Sequence, residues 1–363
     1  MQNIPLQVNS NNTSIHAGER GFSILELIVS MVIFLVVTGS MWGVLRSAQM
    51  SRSVVNQQTE LAKNVRLALN VIGRDTYNAG YGYPLGNTVV LPDNRISALL
   101  GIPNDFDNIR DTIPPIIAGN NITVDNYNTV ANVRTDQVTF LFKDPTFNLT
   151  GVGANAVSRP VNTFVPNPVV PGIDEIQIQP SSGTNSCCRV NDIYLVSTAA
   201  SSTLVLATAL RNTDRVQFGD GDVLGFNQTG TGLTQAITAN ASMQRVTMVT
   251  YFVDSSGTLT RRQFANVPPA VPAVAYIDAP LVYNVENFQI QYVMDDGTIN
   301  DNPSAGPDGI PGTADDTQSN LAAVRQIRYT VSVRSQELNS AGQPYRETMT
   351  STFSTRNLGY VAN

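Results

Sequence analysis

The stretch GFSILELIVSMVIFLVVTGSMWGVL, residues 21–45, decides how the rest of the chain is read. Between positions 22 and 45 its single charge is Glu26, and the run stops before Arg46. At about 1.5 Å rise per residue those helical residues span ~36 Å, which crosses a bilayer. No proline interrupts the pattern further on. Val54, Leu61, Val65, Ala68 or Leu69, and Ile72 recur at threes, fours and sevens, while Gln57, Glu60, Lys63, Asn64, Asn70 and Arg74 fill the other faces. The spacing predicts one helix over residues 22–78, ~85 Å long, ended by Gly80, Gly82 and Pro84. Its first half, 22–45, is apolar all round, and its second half, 46–79, has one apolar stripe. Such an object needs lipid or like helices around its front and a globular body against its back.

Outward from that helix, composition excludes several functions. The chain has 363 residues, with 22 Lys and Arg against 28 Asp and Glu, a net charge of −6 and 14% charged residues, against a usual ~25%. No basic excess exists to displace counterions from nucleic acid, so no nucleic-acid binding is indicated. The one histidine, His16, lies in the polar segment 1–21, which has no apolar run and is not an ordinary secretory signal. Without it a mature chain has no imidazole base and lacks the commonest transition-metal ligand. Carboxylate chemistry and oxygen-ligand metals remain.

The two cysteines, Cys187 and Cys188, are neighbours. Adjacent Cα atoms are ~3.8 Å apart, below the usual ~4.4–6.8 Å of a disulfide. A vicinal bridge would be strained and open to reduction; two free thiols and a bond to another subunit are the alternatives.

The remaining residues, 81–363, read as β-rich. QVTFLFK from Gln137, DEIQIQ from Asp174 and NDIYLVS from Asn191 alternate as strands. RVTMVTYFVDSSGTLTRRQF, residues 245–264, predicts a hairpin around Asp-Ser-Ser-Gly. NVENFQIQYVMDDG from Asn284 gives another strand, and VRQIRYTVSVRS from Val324 pairs with RETMTSTFSTRN from Arg346. Residues 86–135 and 148–180, rich in Asn, Pro and Gly, are expected as long loops or an inserted subdomain. The fold class expected is α+β: a long N-terminal helix packed on a mainly antiparallel β-rich domain.

One acidic loop stands out as a candidate metal site. Asp295, Asp296, Asp301, Asp308, Asp315 and Asp316 are interleaved with glycines and no Lys or Arg. Hard oxygen donors on a glycine-rich loop suit calcium, although the spacing is not that of an EF-hand; the alternative is a solvated acidic turn.

The run Gly21-Phe22-Ser23-Ile24-Leu25-Glu26 after a polar leader resembles the signal of type IV pilins and type II secretion pseudopilins. That resemblance implies cleavage by a prepilin peptidase between Gly21 and Phe22, N-methylation of Phe22, removal of residues 1–21, and an assembly role for Glu26. Where many pilins carry a proline, this helix has Gly39 and Gly43, which either loosen it or form a close-packing face.

The body segments, in order, resemble the PilW family of minor pilins. They are RDTYNAGYG (74–82), GDGDVLGF (219–226), the YFVDSSGTLTRR hairpin, VENFQIQYVMDDG, and the closing strands ending in Thr355-Arg356-Asn357. The matching body residues read as structural: Gly219 and Gly221 for a turn, Phe288 and Tyr292 for the core.

The family implies a single-pass inner-membrane protein with a periplasmic body, later drawn into an extracellular pilus at or near its tip. Its implied partners are other minor pilins, the major pilin and a large tip adhesin, and motility or adhesion would follow. A J-type pseudopilin is the alternative. A membrane-anchored carboxylate enzyme is the remote one, disfavoured because no acidic pair is flanked by aromatic platforms.

Overall fold

The computed structural model describes residues 21–84, 89–103, 109–124, 134–144, 159–165, 172–178, 188–199, 201–212, 214–234, 237, 241–265, 276–306, 309, 317–339 and 342–358. Two units make up the chain, Met1–Asn56 and Gln57–Asn363, and the helix α1 (Ile24–Asn78) contributes to both.

In the first unit every described residue is solvent-exposed except the half-buried Val54. The expected apolar front is therefore a helix with its side chains facing outward, and it is long and apolar enough to cross a membrane. Ser30 and Ser40 donate their hydroxyls to the carbonyls of Leu27 and Val37, so their polar groups are satisfied within the helix. Gly39 and Gly43 lie in continuous helix with open space where a Cβ would stand.

The second unit begins with the back half of α1. Its strands are β1 (Val89–Leu91), β2 (Asp111–Thr112), β3 (Ile116–Val124), β4 (Arg134–Lys143), β5 (Arg159–Val165) and β6 (Ile173–Ile178), with a short helix α2 (Arg95–Leu100) after β1. Then follow β7 (Ile193–Ser197), β8 (Ser202–Leu206), β9 (Ala209–Arg211), β10 (Arg215–Gly219), β11 (Ser242–Val253) and β12 (Leu259–Phe264). The closing strands are β13 (Tyr276–Val282), β14 (Val285–Met294), β15 (Ile299–Asn300), β16 (Val324–Leu338) and β17 (Pro344–Ser354).

The first thirteen strands form one branched sheet, in which β11 pairs with β4, β5, β7 and β12; the last four form a second, ordered β15-β14-β16-β17. All pairings are antiparallel except β1 with β8. This is the α+β class expected. The hairpin closes where the sequence places it, Val253 opposite Leu259, and β16 pairs with β17 from Gln326↔Ser354 to Leu338↔Pro344.

The Asn-, Pro- and Gly-rich segments differ from a pure loop reading: 86–135 supplies β1, α2, β2 and β3, and 148–180 supplies β5 and β6. Their backbone donors are satisfied by pairing with longer strands such as β4 and β11, so tertiary context overrides weak local propensity.

Val65, Ala68, Leu69 and Ile72 of α1 are buried in a core with Phe140, Tyr251, Phe288 and Tyr329. Burial of Val65, Leu69 and Ile72 contributes ~1.5–3 kcal/mol each. Gly73 lies against the Phe353 ring, where a Cβ would clash. The helix stops at Asn78; Gly80 and Gly82 take positive φ (77° and 67°), and the Gly80 N–H donates to Leu141 O at 3.0 Å.

Candidate functional site

The N-terminal candidate site is built around the first turn of α1. Ser23 precedes the helix, and its Oγ accepts the Glu26 backbone N–H at 3.4 Å. Leu27 N–H closes the first turn on Ser23 O. Ser23-x-x-Glu26 has the sequence pattern of a capping box, with Glu26 in the first turn where the helix dipole favours an anion. This signal was present in the sequence; Ser23 is the residue that reading the motif for cleavage alone passes over. Gly21 and Phe22 lie outside the helix and are exposed, Phe22 at 83%. The bond between them thus lies outside the helix, which starts two residues beyond it.

At the other end of α1, charge anchors the helix to the first sheet. Asp75 is buried, and its Oδ2 accepts the Tyr251 hydroxyl at 2.6 Å and Arg261 Nε at 2.8 Å. Thr76 and Tyr329 share a hydroxyl hydrogen bond at 2.8 Å, which ties the same turn to β16 of the second sheet. Burial, then the Asp75 charge, pushes the Tyr251 hydroxyl pKa well up.

The two sheets meet at Asp136. This buried carboxylate accepts the N–H of Asn121 in the β3 bulge and of Ile290 in β14, at 2.9 and 2.8 Å. Burial pushes its pKa up to about 6, against the pull of those two N–H groups, and the charge of Asp301 adds to the rise.

The acidic loop is described only in part. Asp295 faces Arg325 at 3.6 Å, Asp296 accepts the Thr298 N–H and hydroxyl, and Asp301 accepts from Gln291 Nε2. These three carboxylates serve three different partners, and no group of three or more metal-capable side chains occurs among the described residues. Asp308, Asp315 and Asp316 lie outside them. In the GDGDVLGF stretch, Asp222 accepts the N–H groups of Leu224 and Asn227, while the Asn227 amide pairs with Leu206 and Gly219. Those roles shape a turn. Cys188 is buried and disulfide-bonded; Cys187, the chain's other cysteine, lies outside the described residues.

Residues 17–42 match the prokaryotic N-terminal methylation motif. No curated protein and no solved structure matches the chain with significance. The motif supports a type IV pilin or pseudopilin family. It points to a structural protein, implies processing by prepilin peptidase and assembly with other pilins, and with the apolar helix supports a single-pass inner-membrane anchor.

Proposed function

We propose that the chain is a minor pilin of the PilW type, which primes pilus assembly and is incorporated at or near the pilus tip, with motility or adhesion as consequences. The observation that carries this reading is a methylation motif running directly into an outward-facing apolar helix with one acid, Glu26, in its first turn. Cleavage after Gly21 frees an amine on Phe22. An ionised Glu26 in hydrocarbon costs ~2.5 kcal/mol or more unless paired, and the Phe22 amine of a neighbouring subunit offsets that cost and sets register. Lateral docking then replaces lipid around residues 22–45 with other pilin helices, Gly39 and Gly43 offering a surface for close approach.

The test is Glu26→Ala in a cell that assembles pili: the chain should leave the filament fraction while its β-rich body stays folded. A chain that enters filaments as well as wild type would overturn the reading. The same motif fits a J-type pseudopilin of type II secretion, for which loss of the chain would block protein export and leave surface pili intact.

Two smaller proposals accompany it. Calcium held by the 295–316 loop should raise the melting temperature, and chelation should lower it. A vicinal Cys187–Cys188 bridge should show as a mass change on reduction without a change of subunit size.

A further inference from the structure

Charge is shared unevenly along the chain. Residues 22–78 carry five Lys and Arg against three Asp and Glu, whereas residues 79–363 carry 16 against 24, a balance of −8. Within the second unit, Lys63, Arg66 and Arg74 lie on the exposed face of α1, opposite buried Val65, Ala68, Leu69 and Ile72. At about 100° per residue the three cations fall within ~80° of one another. Asn70 and Tyr77 fill the same strip, and the exposed acid Glu60 sits at its margin. Arg356, exposed after β17, stands over the Tyr77 ring at 5.7 Å, so the strip continues past the end of the helix.

These cations are not consumed internally. Among the described residues Lys63 and Arg66 form no ion pair, and the Arg74 side chain reaches Asp75 at 3.5 Å while remaining 68% exposed. A lipid headgroup is the poorer partner, because Lys63 follows the end of the apolar run at Leu45 by ~27 Å of helix. The chain's own body has the complementary sign.

We propose that the strip of Lys63, Arg66, Arg74 and Arg356 docks the acidic globular body of a second copy of this chain. The proposal rests on the pilin reading above and adds the contact that selects which neighbour, and which of its faces, sits behind α1. Charge at such a surface governs encounter and orientation more than raw affinity, and salt weakens it over a screening length of ~8 Å at physiological ionic strength.

The test uses the full-length chain in filament-assembling cells, with a benzophenone amino acid in place of Asn70. Asn70 should photo-crosslink to a second copy of this chain. The double variant Lys63→Glu with Arg66→Glu should lower both the crosslink and the filament-borne chain by about tenfold or more, and Lys63→Arg with Arg66→Lys should restore both. Because the two side chains are exposed, melting of the purified double variant should match wild type. Crosslinks only to lipid or to a different protein, or a double reversal within about twofold of wild type, would overturn the docking. If Glu26→Ala abolishes incorporation while the reversal does nothing, only the docking falls; if Glu26→Ala is also without effect, the pilin reading falls with it.

Discussion

Tyr251 donates its hydroxyl to Asp75 Oδ2 at 2.6 Å, joining a strand of the first sheet to the last full turn of α1. Arg261, on the neighbouring strand β12, shares the same oxygen. The pair holds the back half of α1 on the body through a charge-assisted bond. Tyr251→Phe should therefore destabilise the chain by about 1.5–3 kcal/mol. Asp75→Ala should cost more, about 3–5 kcal/mol, because it leaves Arg261 largely buried without its carboxylate. Denaturant unfolding of the full chain in detergent reads both, and equal costs would contradict the charge argument.

Gly73 of α1 lies against the Phe353 ring of β17. Gly73→Ala drives a methyl into the Phe353 ring and should cost about 1–3 kcal/mol by overpacking. Phe353→Leu in the same chain should recover part of that loss, so a double-mutant cycle should give a favourable coupling. Additive costs would show that the ring is not what Gly73 accommodates.

The Asp136 joint makes stability depend on pH. Its folded pKa, about 6, lies above the unfolded value, so the folded state holds the proton more tightly. The stabilising contribution is full below about pH 4 and is lost as pH rises through 6, by about 3 kcal/mol. Asp136→Asn cannot ionise. The stability difference between wild type and this variant should shift in the variant's favour by about that amount between pH 4 and pH 7. A difference independent of pH would contradict the assignment.

Ser23 caps the helix that follows the proposed cleavage point. Ser23→Ala should weaken the first turn by about 1 kcal/mol, seen as faster hydrogen exchange at the Glu26 amide. Melting of the β-rich body should not change.

Much of this architecture was legible in the residues. Apolar spacing locates α1 to within two residues of its start, and period-two runs locate β4, β6, β7, β11, β12, β14, β16 and β17. Ser23 could have been read from Ser-x-x-Glu. The pins at Asp75 and Asp136 could not, since their partners lie 176 and 154 residues away and nothing local marks a carboxylate as buried. The short strands β1, β2, β3 and β5 were equally hidden, because they are strands by virtue of what they pair with.

The central claim is that this chain is cut after Gly21 and assembled through the helix thereby exposed. The most direct measurement is mass spectrometry of the chain's N-terminus in purified native filaments. The account predicts a chain that begins at N-methylated Phe22 and is present in the filaments; a native chain that keeps residues 1–21 and is absent from every filament would contradict it.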